Sequence, residues 1–307
     1  MAGRVFVTGG SGFIGANVIK ELVGRGYAVN ALVNHGTLGE SHPAIREIHG
    51  DLFNAATLDE GLRDCETVIH LVGIIMEKPH KGVTFKRIHV DGTRAVVDAA
   101  KRNSIRRYIQ MSALGARPAA ASEYHRTKWL AEEYVRGSGL DWTIFRPSMV
   151  HGPGGFMKME AKWARKSAPP FIAMPYFGKG ILGLGGAGLL QPVYVGDVSR
   201  AFVDAISKPQ TIGKTYDLVG PERFTWPELH AAAAQLLVGK PRLTAPLPAW
   251  FAKLLATTGL GPLLDFTRDQ VIMSQEDNTG EVQPLESDFG WKPVAFREAL
   301  RSYASQL

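Results

Sequence analysis

Cysteine is nearly absent. Cys65 is the single cysteine in 307 residues, which excludes an intrachain disulfide and fits a reducing compartment. It sits just ahead of the apolar run TVIH, where a buried thiol is favoured over a reactive one. No uninterrupted apolar run of about 18 residues occurs, so no membrane span is expected. The nearest approach, residues 247–264, is broken by Lys253 and by several glycines and prolines. The first apolar run starts at Val5 and leads into a glycine-rich turn instead of a cleavage site, so no secretory leader is expected and the cytoplasm is the expected location. The nine histidines are scattered, without a His/Cys/Asp cluster at metal-ligand spacing, so no metal site is expected. Net charge is +6, which favours anionic ligands in general, but Lys and Arg are dispersed and no Arg-rich, aromatic-interleaved tract argues for nucleic acid. With 45% hydrophobic and 21% charged residues the chain is neither disordered nor short of core-forming side chains.

What is present alternates. RVFVTG reads as a buried strand, followed by a helix with Ile14, Val18 and Leu22 inward. YAVNALV, IREIHGD and TVIHLVGII continue as strands, then come a helix around 90–102, the strand RYIQMSA, a helix over EYHRTKWLAEEY, and the strand DWTIFRP. This alternation predicts an α/β fold, a Rossmann-type doubly wound parallel sheet with helices on both faces. After His151 the pattern loosens into glycine-rich loops, among them GKGILGLGGAGLL, which reads as a loop or a lid. PVYV leads into a helix capped by Asp197, with Val198, Phe202 and Ile206 inward; KTYDLVG is a strand; Thr225 and Glu228 form a capping-box pattern. The predicted division is a dinucleotide-binding domain over 1–155 and a smaller, mostly helical substrate-binding region over 156–307, with 191–220 returning to the main sheet.

Gly9, Gly12 and Gly15 stand between the first strand and the first helix. The first permits the tight turn, the second lets the backbone approach a pyrophosphate, and the third lets helix pack on strand. Ser11, Phe13 and Ile14 lie with them at a helix N-terminus whose free N–H groups favour an anion. An acid ending the second strand would grip the ribose 2′-hydroxyl of NAD; here the strand ends in Asn34 and His35, so NADP(H) is preferred slightly over NAD(H). Asp51, followed by Leu52 at the end of the third strand, is placed to accept from the adenine amino group, against a plain turn or N-cap role.

Taken together, TGGSGFIG, GDL, VIHLVG, HVDGT, the strand-end Ser112, Tyr124-x-x-x-Lys128 and FRPSMVHGPG resemble the short-chain dehydrogenase/reductase superfamily, extended or atypical branch. QPVYVGDVSRA extends the match. Within it, VIHLVGII, YHRTKWLAEEYVRGSGLDWTIFRPS and FTRDQVIMSQEDN are most similar to the group of the dehydrogenase-like accessory subunit of respiratory complex I and its bacterial relatives. The resemblance implies that Leu71, Val72 and Gly73 lie along the cofactor, that Met111 and Ser112 face the nicotinamide, and that Pro147, Met149 and Val150 border it. His89 departs from the family's usual Asn.

Tyr124 and Lys128 are one helical turn apart, a spacing common on ordinary helices. In the implied site, Ser112 holds the substrate oxygen, Lys128 bonds the ribose and lowers the phenol pKa of Tyr124, and Tyr124 moves the proton. The expected function is NAD(P)-dependent oxidoreductase or sugar-nucleotide epimerase/dehydratase-type chemistry on a small molecule, by a monomer or homodimer. The alternative is a non-catalytic NAD(P)H-binding structural, assembly or redox-sensing protein. Glu132 and Glu133 read as a solvent face, and Arg126 and Arg136 as solvated; Arg146 is balanced between substrate contact and ion pair. FMKMEAKWARK reads as a solvated basic face in preference to a membrane contact, and PAWFAKLLATTGLGPLL as core in preference to pocket lining.

Overall fold

In a computed structural model, which describes residues 2–39, 41–258 and 266–307, the chain divides into two units. The first comprises Met1–Pro147, Val195–Leu218 and Gln283–Trp291. Its leading part runs β1 (Ala2–Thr8), α1 (Phe13–Gly24), β2 (Tyr27–Val33), β3 (Ile45–His49), α2 (Ala55–Leu62), β4 (Thr67–His70), α3 (Gly92–Arg102), β5 (Arg107–Met111), α4 (Glu123–Arg136) and β6 (Asp141–Pro147). The seven-stranded sheet has the order β3-β2-β1-β4-β5-β6 followed by Lys214–Leu218. Every pairing in it is parallel. Strand order reverses between β1 and β4, and ligand crevices of such sheets open there.

The strands are apolar on both faces because both are covered. On one face, Leu58 and Leu62 of α2 and Val96 and Val97 of α3 pack with Phe6, Val68 and Tyr108. Elsewhere in the core, Val18 and Leu22 of α1 are buried, and Phe202 of the helix Val195–Ile206 meets Phe145 with ring centroids 4.8 Å apart. Two local details differ from the sequence expectation. Ile14 is half-buried, and Gly15, Val18, Ile19 and Leu22 make the inward face of α1. Asp197 lies in the first turn of its helix, which already begins at Val195, instead of capping it. A third is new: α3 is preceded by a π-helical turn over Lys86–Asp91, which leaves His89 and Val90 buried.

The second unit comprises Ser148–Tyr194, Val219–Val282 and Lys292–Leu307. Helices Phe156–Ala164, Trp226–Val238 and Phe296–Tyr303 contribute Met157, Leu229, Phe296 and Leu300 to its core. The capping box of Thr225 and Glu228 opens the second of these. Glu160, on the first, reaches the imidazole of His230 at 3.0 Å, both fully buried, while Lys158 and Lys162 face solvent. Two short parallel ribbons complete the unit, Met174–Gly178 with Thr244–Pro248 and Val150–His151 with Val193–Tyr194. The segment read as core over 248–264 does not bury its large side chains. Ala249 and Ala252 are inside, Trp250, Phe251 and Leu254 are exposed, and residues 259–264 lie outside the described residues.

Candidate functional site

The β1–α1 turn separates three reasons for glycine. Gly9 has φ +78, and a Cβ there would lie 2.9 Å from the backbone of Leu71 and Val72. A Cβ on Gly15 would lie 2.1 Å from Gly9 O, so α1 can reach the turn only without one. Gly12 is different. Its φ of −77 and ψ of 167 suit any residue, and a Cβ would meet only Gly9 O at an ordinary 3.4 Å. Nothing among the described residues demands glycine there. The open space lies at the N-terminus of α1, where no side chain caps the helix and no acid occupies the first turn. Such a cradle fits a pyrophosphate, received by the helix N–H groups.

Around this turn, Ser11 is exposed and Phe13 and Ile14 are half-buried. Asn34 and His35 are exposed just past β2. Asp51 is exposed; one carboxylate oxygen accepts from Phe53 N–H at 2.9 Å in a local turn, while Asn54 caps α2 and Leu52 is buried. Leu71 and Val72 approach Gly9 beyond β4, and Gly73 is exposed. Pro147 ends β6 in the first unit. Met149 and Val150 belong to the second unit, where Met149 N–H donates to Asn278 Oδ1 and Val150 pairs with Val193.

The serine-capped helix α4 carries Tyr124 and Lys128. Lys128 is 2% exposed; its ammonium donates to Met111 O at 3.3 Å and lies 2.9 Å from where a Cβ on Gly73 would stand. Burial pushes its pKa down to about 8, with Glu132 opposing. Half-buried Tyr124 packs edge-on against Phe85 and His89 with centroids 5.8 and 5.3 Å away. Its phenol moves opposite to the expected direction: desolvation pushes it up to about 12. Removing the phenolate from water therefore outweighs any help from the ammonium one turn away.

Ser112 is turned elsewhere. Its hydroxyl donates to Glu132 Oε1 at 2.5 Å. Glu132, read as a solvent-facing residue, is fully buried. It also accepts from Arg146 Nε at 2.8 Å and Nη2 at 2.6 Å, and from Arg136 Nη2 at 2.6 Å. Arg146 is therefore an ion-pair residue, and Arg136 joins it instead of standing solvated. Arg126 pairs with Glu123.

Two histidines in the quoted motifs, His70 and the departure His89, lie beside Lys128 in the interior. His70 is fully buried, with Nδ1 2.6 Å from Thr8 Oγ1 and no partner for Nε2 among the described residues. His89 sits with Nδ1 2.9 Å from Thr127 Oγ1, and its Nε2, 3.2 Å from Ile74 N and 3.1 Å from Ile74 O, accepts from the one or donates to the other according to its tautomer. Burial and the Lys128 charge lower both, to about 3 for His70 and about 2 for His89, so both are neutral. The signal available in the sequence was position alone: a histidine ending β4, and one where Asn is usual. Among the described residues no His/Cys/Asp/Glu group could hold a metal ion, and no helix is long and apolar enough to cross a membrane.

Residues 9–157 match the family described as NAD(P)H-binding. Ceramide reductase of Caulobacter vibrioides is 28% identical over 251 residues, which covers 78% of this chain and 73% of that protein. The mitochondrial NADH dehydrogenase (ubiquinone) 1 alpha subcomplex subunit 9 of Mus musculus is 27% identical over 312 residues, covering 94% and 76%. UDP-glucose 4-epimerase of Thermus thermophilus, solved with NAD, shares the fold with a TM-score of 0.77 over 99% of this chain and 98% of that one, at 21% identity. Residues 9–157 thus match an NAD(P)H-binding family, most of the chain is similar to a ceramide reductase and to a subunit of mitochondrial NADH dehydrogenase, and its fold is that of the NAD-bound epimerase.

Proposed function

We propose that this protein is an NADP(H)-dependent carbonyl reductase in which Tyr124 donates the proton and Lys128 holds the nicotinamide ribose. When bound, the nicotinamide supplies the hydride. The observation that carries the reading is Lys128: a buried ammonium has three donors, and its one described hydrogen bond is to Met111 O. Ribose hydroxyls offer the acceptors it lacks. A phenol raised to about 12 stays protonated at neutral pH, which suits donation to a developing alkoxide. With the Ser112 hydrogen committed to Glu132, Tyr124 alone hydrogen-bonds the substrate oxygen. Likeness to a ceramide reductase favours a carbonyl on an apolar molecule over a sugar nucleotide. The exposed Asn34 and His35 place no acid where a 2′-phosphate would sit, which supports NADP(H).

The test is NADPH oxidation against a panel of apolar ketones and aldehydes. Tyr124→Phe is expected to lower kcat/KM by about 100-fold or more while leaving the NADPH Kd unchanged. Lys128→Met is expected to raise that Kd. Undiminished turnover by Tyr124→Phe would refute the assignment. A second reading, a cofactor-binding protein without turnover, is favoured by one observation, the diversion of Ser112 to Glu132. It wins if NADPH binds tightly and no carbonyl oxidises it.

A further inference from the structure

The helix Ala249–Thr257 is built inside out. It buries Ala249 and Ala252 and turns Trp250, Phe251 and Leu254 to solvent. Burial of apolar area normally selects the opposite arrangement. Beside the helix, the loop 179–186 is closed by its own backbone: Lys179 N–H donates to Gly186 O at 2.6 Å, and Gly185 N–H to Lys179 O at 2.9 Å. On this tied loop Ile181 is 82% exposed, Leu182 71% and Leu184 72%. Loop and helix form one surface. Trp250 Nε1 donates to Ile181 O at 3.0 Å, and a Cβ on Gly183 would lie 3.1 Å from Pro246 Cβ on the strand that leads into the helix. Single exposed apolar residues are ordinary, but a contiguous group on one face marks an interaction site.

The chain segments that build this surface carry one sign of charge. The loop 179–186 contains Lys179 and neither Asp nor Glu. The helix Ala249–Thr257 contains Lys253, again without an acid. The cores of protein–protein interfaces are depleted in Lys. A protruding aliphatic tip, an indole and a lysine on each of the two segments are instead what an anionic bilayer surface attracts.

We propose that this face of the second unit, the loop Ile181–Leu184 with the outer side of the helix Ala249–Thr257, docks on the surface of an anionic lipid bilayer. The apolar tip enters the headgroup boundary and the basic residues meet lipid phosphates. The inference is independent of whether Tyr124 supports turnover.

Flotation of the full chain with vesicles tests it. Vesicles of phosphatidylcholine and phosphatidylglycerol should carry the protein, and vesicles of phosphatidylcholine alone should carry much less. Binding should weaken at about 1 M salt, where the Debye length is about 3 Å. The double variant Ile181→Asp/Leu182→Asp should lower partitioning at least about tenfold, the change that corresponds to about 1.4 kcal/mol. Because both positions are solvent-exposed, the variant should keep its thermal unfolding and its NADPH affinity, which reports on the first unit. Failure of the wild type to bind anionic vesicles at low salt overturns the proposal. So does equal binding by the double variant. If instead the wild type is a dimer in solution and the variant a monomer, the face joins copies of the chain and the bilayer reading is wrong.

Discussion

Replacing Gly12 and Gly15 by alanine should damage two different properties. At Gly15 the new methyl would lie 2.1 Å from Gly9 O and 2.7 Å from Gly10 Cα. Both neighbours are backbone, so strand and helix must separate, and overpacking of this kind costs about 1–3 kcal/mol or more. At Gly12 the methyl would meet Gly9 O at 3.4 Å in an already extended conformation, so Gly12→Ala should cost no more than about 1 kcal/mol, the scale of an N-cap change. Its effect should fall on the cofactor. A methyl in the cradle holds a phosphate away from the helix N–H groups, and each hydrogen bond to a charged group is worth about 1.5–3 kcal/mol. Losing one raises the NADPH Kd about 10- to 150-fold. Urea unfolding measures the first quantity and NADPH fluorescence titration the second. If Gly12→Ala binds NADPH as tightly as wild type, the cradle is not a phosphate site. If it destabilises as much as Gly15→Ala, glycine is there for packing and the distinction fails.

Glu132→Ala should cost about 2–3 kcal/mol in urea unfolding, toward the low side of a broken buried pair because Arg146 and Arg136 retain 23% and 28% side-chain exposure; a loss under about 1 kcal/mol would dismiss Glu132 as a hub. Lys128 has a folded pKa of about 8 against the ordinary 10.5 of a lysine, so between these values the unfolded chain holds a proton that the folded one has lost. Wild-type stability should therefore rise relative to Lys128→Met from pH 8 to 10.5, by about 3 kcal/mol in all; parallel profiles would refute the burial of a charged Lys128. His89, lowered to about 2, stays neutral while the unfolded chain takes up a proton below pH 6.5. Acidification to about pH 4.5 should thus cost wild type about 3 kcal/mol relative to His89→Asn, read from unfolding midpoints across pH.

The sheet was legible because its signals are local. Buried parallel strands read as apolar runs, and Gly9, Gly12 and Gly15 fall at one strand–helix junction. Lys214–Leu218 was likewise visible as a strand, although its partner β6 lies some way back in the chain. The polar interior was not legible. Glu132 and Glu133 are chemically alike and adjacent, yet one is fully buried and the other exposed; what decides is Arg146, delivered by β6, and Ser112, delivered by β5. Helical spacing brings Tyr124 and Lys128 together but cannot state the dielectric around them, and that reversed the expected shift of the phenol. The π-helical turn that leaves His89 buried has no periodicity of its own in six residues. In the second unit, an apolar composition over 249–257 suggested core, but composition does not say which side of a helix faces in, and here the alanines do.

The first unit borrows its last pieces late. Its sheet gains the strand Lys214–Leu218 only after the whole of 148–194 has intervened, and the helix Gln283–Phe289 comes later still, with Asp288 bonded to Lys214 at 2.7 Å and Tyr216 at 2.5 Å, and Phe289 against Phe145. During synthesis, then, the glycine turn between β1 and α1 leaves the ribosome well before β6 does, and β6 waits as an open sheet edge until residue 218 emerges. The packing beside it is not sealed until residue 291 follows. A nascent chain stalled between those points would present an unpaired parallel edge, the feature most prone to mispairing with another chain. Chaperone demand should therefore concentrate in that interval of translation.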